Sequence, residues 1–206
     1  METSFNPSAA GRQAYLNVVA AYAMDMAGYE HNPRTAYVSA DMPFRALRSF
    51  HGVGVNFMND QIGLFTHTKL NLQYAFQMPL FKGHLRLGAE VGFISEKFDG
   101  SQVDLGDSSD PAFSTADLTG SSIDLGAGLF YTHGQGYGGA SVHHLNSPLV
   151  SLGDNNELKI LPTYYFTGGG NISFRNPFIT LKPSLLFRTD GTGWRGDITG
   201  RLVYNN

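Results

Sequence analysis

Seven histidines, with an adjacent pair at His143 and His144, are the residues of this 206-residue chain best suited to hold a metal or move a proton. Their spacing argues against a shared ion. Successive side chains of a strand point to opposite faces, so His143 is expected inward and His144 toward an interface. His51, His67, His84 and His133 fall at predicted strand ends, where solvated or lumenal groups are expected. Asp99, Asp104, Asp107 and Asp110 could offer oxygen ligands to a hard cation, but they match no EF-hand spacing and read as a solvated loop. Glu90 could act as an acid or base. On the inner face of a barrel it is expected instead to pair with one of the cations sharing that face, Lys69, Arg86 or Arg201. Gly168, Gly169 and Gly170 lie inside a strand pattern, which marks a bend or close packing rather than a phosphate loop. There is no cysteine and no Ser-His-Asp order. The expectation is a non-enzyme with no metal and no cofactor.

The elements that would position these groups are legible from composition and period. The chain is 42% hydrophobic, 13% aromatic and only 15% charged, with 25 glycines, whereas soluble domains average about 25% charged residues. Its length suits a single domain over 1–206. No window approaches the roughly 18 apolar residues of a spanning helix. A net charge of −3 gives no field to attract nucleic acid. From His67 to Met78 the chain alternates strictly. Leu70, Leu72, Tyr74 and Phe76 share one face, and Lys69, Asn71 and Gln73 the other. The next run keeps the alternation in opposite parity, with Leu87, Val91 and Phe93 against Arg86, Gly88 and Glu90. Such a flip suits an antiparallel neighbour across an even-length loop, here residues 80–83.

Weaker copies recur, giving about ten strands near 12–24, 34–42, 52–58, 66–78, 84–97, 122–132, 137–144, 160–174, 178–188 and 194–204. Prolines at Pro162, Pro177 and Pro183 count against the later ones. Residues 98–120 form the one long connection. Runs of eleven to fourteen residues exceed usual soluble strands and match the roughly 9 to 11 tilted residues that cross a bilayer. Hydrocarbon also demands closure, because each unpaired backbone group there costs several kcal/mol. The fold class expected is all-β, an antiparallel up-and-down transmembrane β-barrel. Tyr74, Phe76, Phe93, Tyr131, Phe187 and Tyr204 would form its aromatic girdle. Lys69, Asn71, Gln73, Arg86, Glu90 and His143 are the candidate lumen-lining residues. Leu70, Leu72, Tyr74, Phe76, Leu87, Val91 and Phe93 are the candidate lipid-facing ones. Alternation alone leaves open which face is inside, so a soluble ligand-binding barrel of lipocalin type stays as an alternative.

Turn and strand-end sequences narrow the field. Asn6-Pro7-Ser8-Ala9-Ala10-Gly11 precedes the first strand; Ser39-Ala40-Asp41-Met42-Pro43, Gly52-Val53-Gly54-Val55 and Asn59-Asp60-Gln61-Ile62-Gly63 follow in order. Then come Leu72-Gln73-Tyr74-Ala75-Phe76, Leu85-Arg86-Leu87-Gly88, Asp110-Pro111-Ala112-Phe113, Gly128-Leu129-Phe130-Tyr131, His144-Leu145 and Lys182-Pro183-Ser184. In this order and spacing the chain resembles the PorP/SprF family of outer-membrane proteins of the type IX secretion system in Bacteroidota. One stretch departs from the family's pattern: Tyr22-Ala23-Met24-Asp25-Met26 stands where a Tyr-Arg-x-Gln-Trp run is usual.

The resemblance implies a bacterial outer-membrane component of type IX secretion or gliding that contacts lipid and binds other proteins. Those partners would be periplasmic ring proteins or a secreted surface adhesin. Residues 98–120 and 146–157 are the expected contact loops. A passive channel lined by the polar face is the second functional class. The resemblance also predicts a signal peptide and further strands that this chain does not include, so that closure would be incomplete or formed by a smaller set of strands.

Overall fold

A computed structural model describes residues 2–29, 32–100, 117–152, 156–174 and 178–204. Among the described residues thirteen strands are seen: β1 (Asn17–Met24), β2 (Arg34–Ala46), β3 (Ser49–Ile62), β4 (Phe65–Leu80), β5 (Gly83–Phe98), β6 (Leu118–His133), β7 (Gly136–His143), β8 (Leu149–Leu152), β9 (Asn156–Lys159), β10 (Thr163–Gly170), β11 (Ile172–Ser173), β12 (Ile179–Thr189) and β13 (Trp194–Tyr204). All but β8 and β9 join one antiparallel sheet in the order β1 to β7, then β10, β12 and β11, with β13 on the other side of β12. The up-and-down order is the one expected. No ladder joins β1 to β13 among the described residues. The sheet is nonetheless rolled, because Thr35 and Tyr37 on β2 line the same cavity as Tyr165 on β10 and Arg188 on β12.

Alternation located the long strands well and the ends and interruptions less well. The predicted strand over 12–24 begins only at Asn17. The predicted strand over 160–174 breaks: Pro162 precedes β10, and Asn171 separates β10 from β11. The 146–157 connection carries the hairpin β8–β9, which its short strands hid from periodicity. The β4–β5 loop has two residues, Phe81 and Lys82, rather than four, and the even count preserves the parity flip. Two-residue hairpins favour positive φ. In the β2–β3 turn Leu47 and Arg48 have φ of 49° and 64°.

The register settles which face is inner. Asn71, Gln73 and Ala75 on β4 are buried while Leu70, Leu72 and Tyr74 are exposed. The same division runs through β2 to β7: Ser39, Asp41, Asn56, Arg86, Glu90, Asp124, Ser141 and His143 are buried, and Val38, Val55, Phe57, Val91, Phe93 and Leu129 are exposed. A polar interior inside an apolar exterior is the reverse of a soluble barrel that turns its apolar face inward.

Residues 2–11, which precede the first strand as expected, add no strand of their own. They form two 3-10 turns, Glu2–Ser4 and Pro7–Ala9, buried against the inner face. The local sequence explains the second turn. Asn6 caps it, its Oδ1 accepting from the Ser8 amide at 3.0 Å and from the Ser8 hydroxyl at 2.6 Å, and Pro7 supplies a preset φ at the first position.

Candidate functional site

Successive register pairs string inner-face residues into rows that run across the strands. One row is Gly52, Ala75, Gly88, Gly128 and Ser141, continuing to Tyr165 and Arg188. Its first five members are small, so the row is a trench, and the N-terminal segment lies in it. A Cβ on Gly52 would stand 1.8 Å from the Ala10 oxygen, one on Gly88 2.2 Å from the Ser8 amide nitrogen, and one on Gly128 2.2 Å from Asn6 Oδ1. Glycine is required there by close approach rather than by φ. The segment thus crosses from β3 at Ala10 to β7 at Phe5, whose ring lies 6.2 Å from that of Tyr165.

Side chains beside the trench satisfy the segment's backbone. Asn56 Nδ2 donates to the Thr3 carbonyl at 3.0 Å and Gln73 Nε2 to the same oxygen at 2.8 Å. The Ser141 hydroxyl donates to the Phe5 carbonyl. Arg86 donates through Nε to the Ser8 carbonyl at 2.9 Å, through a second nitrogen to the Ala10 carbonyl, and to Gln77 Oε1 at 2.8 Å. The Gly11 amide donates to Asp41 Oδ2 at 2.9 Å, and Gly11 itself sits at φ +64°. Buried carbonyls are rarely left unpaired, and here sheet side chains supply the missing donors.

The next rows hold the charges. His143 Nδ1 meets Glu90 Oε1 at 2.5 Å, and Gln73 Nε2 donates to Glu90 Oε2 at 2.9 Å. Gly126 pairs with Glu90 in register, and a Cβ there would fall 2.7 Å from Glu90 Cγ. Its absence lets Glu90 reach over β6. Lys69 on β4 reaches Asp124 on β6 at 3.0 Å, across the intervening β5. His67 pairs with Glu96 directly across β4 and β5. Above these rows lies a cavity of about 440 Å³ lined by Lys69, Asn71, His143, His144, Tyr165, Arg188 and others. Asn71 Oδ1, Gln73 Oε1 and His143 Nε2 are buried without a hydrogen-bond partner among the described residues.

Among the candidate lumen-lining residues, Asn71, Gln73, Arg86, Glu90 and His143 are all buried on the inner face, and Lys69 is half-buried beside them. Leu70, Leu72, Tyr74, Leu87, Val91 and Phe93 are 43–57% exposed on the outer face, and Phe76 is half-buried there. The pairing expected for Glu90 was wrong: its partner is His143, while Lys69 serves Asp124 and Arg86 serves backbone carbonyls. The opposed arrangement of His143 and His144 was wrong as well. β7 ends at His143, and a φ of 58° at His144 turns its ring back so that Nδ1 lies 3.0 Å from Asp124 Oδ1. His51 is not lumenal. It is buried on the outer face, its Nδ1 2.6 Å from the Tyr74 hydroxyl and its ring against Phe44 and Phe76.

The motif positions are dispersed. Asn6, Pro7 and Gly11 belong to the trench segment. Asp60 accepts from the Thr35 hydroxyl at 2.6 Å, Asn59 donates to Thr68 at 2.9 Å, and Gly63 forms the β3–β4 turn at φ +60°. Lys182 and Pro183 lie within β12. Asp104, Asp107, Asp110 and Pro111, and most of the 98–120 connection, lie outside the described residues. Sequence reasoning missed Asp41, Asn56, Asp124 and Ser141, although each keeps the inward parity of its strand.

A family model described as type IX secretion system membrane protein PorP/SprF matches residues 2–206. No curated protein and no solved structure is a match.

Proposed function

Because the chain belongs to the type IX secretion system membrane protein PorP/SprF family, we propose that it is an outer-membrane component of that machinery which binds other proteins rather than catalysing a reaction. The observation that carries this reading is the division of faces over strands of up to 16 residues, with an apolar exterior around a buried polar interior. At about 3.3 Å per residue and a tilt near 40°, eleven residues rise on the order of 28 Å, enough for a hydrocarbon core. The exposed leucine, valine and phenylalanine side chains meet lipid in this reading, and residues 1–206 act as one domain. The long β1–β2, β5–β6 and β7–β10 connections leave one end of the sheet, which also carries the short β3–β4 and β12–β13 turns; the two-residue β2–β3, β4–β5 and β6–β7 turns lie at the other end with the β10–β12 connection. Outer-membrane barrels turn the longer loops to the cell exterior. A secreted adhesin would then meet the long-loop end, and periplasmic ring partners the short-turn end.

A passive channel is the weaker reading, because the N-terminal segment lies across the interior between two cavities. Replacing the natural chain with Leu72→Arg in a bacterium that uses type IX secretion should deplete the protein from the outer membrane and retain secreted surface proteins in the cell. Normal secretion with the variant, or with the chain deleted, would contradict the assignment.

A further inference from the structure

The trench is built like a peptide-binding site, and its occupant is part of the same chain. Recognition falls on the backbone of that occupant: the carbonyls of Thr3, Phe5, Ser8 and Ala10 each accept from a sheet side chain, and the Gly11 amide donates to Asp41. Arg86 is the anchor. It is 4% exposed, and among the described residues no carboxylate lies within ion-pair distance of it. Its guanidinium is balanced by the carbonyls ending a short turn, an arrangement that any chain presenting such a turn would reproduce. The segment holds no strand ladder, and the residues tethering it to β1 are exposed, with Tyr15 and Leu16 each at 62%. It could leave without breaking the sheet. It also separates the upper cavity from a second of about 460 Å³ lined by Glu2, Arg12, Tyr137, Lys182 and Arg201.

We propose that the Gly52–Ala75–Gly88–Gly128–Ser141 trench is a peptide-binding groove, closed in cis by residues 2–11, which takes in trans a proline-nucleated turn presenting its carbonyls to Arg86. The inference rests on the reading above for its setting, since a secretion component has polypeptide partners. The cis segment is then a removable plug: release joins the two cavities and exposes Arg86, and reinsertion shuts the interior.

The test uses the full-length chain in detergent. Ala10, fully buried over Gly52 and Gly54, is replaced by tryptophan so that the segment cannot seat while every groove residue remains. A fluorescent peptide with the sequence of residues 2–12 should bind Ala10→Trp about tenfold or more tighter than the wild type, whose groove is filled. Adding Arg86→Gln to Ala10→Trp should remove that gain. Hydrogen exchange should show residues 2–11 protected in the wild type and unprotected in Ala10→Trp, with β4 to β6 protected in both. Equal peptide binding by wild type and Ala10→Trp, binding by neither, or a gain that survives Arg86→Gln would overturn the proposal. So would loss of protection in β4 to β6 together with the segment. None of these readouts depends on insertion into lipid, so failure of the membrane reading would be seen separately, in Leu72→Arg.

Discussion

Arg86 shows how one buried cation can organise an interior without a direct ion pair among the described residues. Its donors end on the Ser8 and Ala10 carbonyls and on Gln77. Arg86→Met keeps much of the volume but leaves two buried carbonyls unpartnered, at about 1–3 kcal/mol each. Urea unfolding should show a lower midpoint for Arg86→Met than for Arg86→Lys, which keeps a donor. Equal midpoints would contradict the role assigned to the carbonyl contacts. Asp190, in the β12–β13 turn, belongs to a different environment. It is exposed, and hydrogen bonds from the Gly193 amide and from the Thr192 hydroxyl and amide hold its carboxyl down at about 2. A depressed carboxyl stabilises the fold above its ordinary range and loses that contribution as pH falls toward the folded value. The stability difference between wild type and Asp190→Asn should therefore shrink between about pH 4 and about pH 2. A difference independent of pH over that range would contradict the turn geometry.

Strands, turns and the buried segment differ in how far they can be read from residues alone. The long strands were legible because alternation over a dozen residues has no helical counterpart, and parity then assigned Asn71, Gln73, Arg86 and Glu90 to one face. The 3-10 turns of residues 2–9 are too short for any period. Their signal was Asn-Pro-Ser, a cap followed by proline, which sequence reasoning used only as a family motif. The trench could not be read without register, since Gly52, Ala75, Gly88, Gly128 and Ser141 are far apart in sequence and meet only through four ladders. The turn at Leu47 and Arg48 is a local conflict. Both residues carry positive φ, and the Leu47 side chain is 93% exposed. Non-glycine residues there cost about 1 kcal/mol or more, and Asn-Gly is the favoured pair. The double substitution Leu47→Asn and Arg48→Gly should raise the unfolding free energy by about 1 kcal/mol or more, and with it the urea midpoint. A lower midpoint would mean that the exposed leucine makes a stabilising contact.

At the scale of the whole molecule, composition acquires a location. Asp41, Arg86, Glu90, Glu96 and Asp124 are buried inside, where Gly126 leaves room for Glu90 to reach His143, and large apolar side chains are exposed outside. An arginine at Leu72 should cost about 2–4 kcal/mol if that position faces mid-bilayer lipid. The chain has no cysteine, so single-cysteine variants at successive positions from Thr68 to Met78 can each carry one nitroxide label without background. Measured in lipid vesicles, collisions with oxygen dissolved in the hydrocarbon should alternate. They should be high at Leu70, Leu72 and Tyr74 and low at Asn71, Gln73 and Ala75. Uniform accessibility along the strand, or maxima at Asn71 and Gln73, would contradict a lipid-facing exterior around a polar interior.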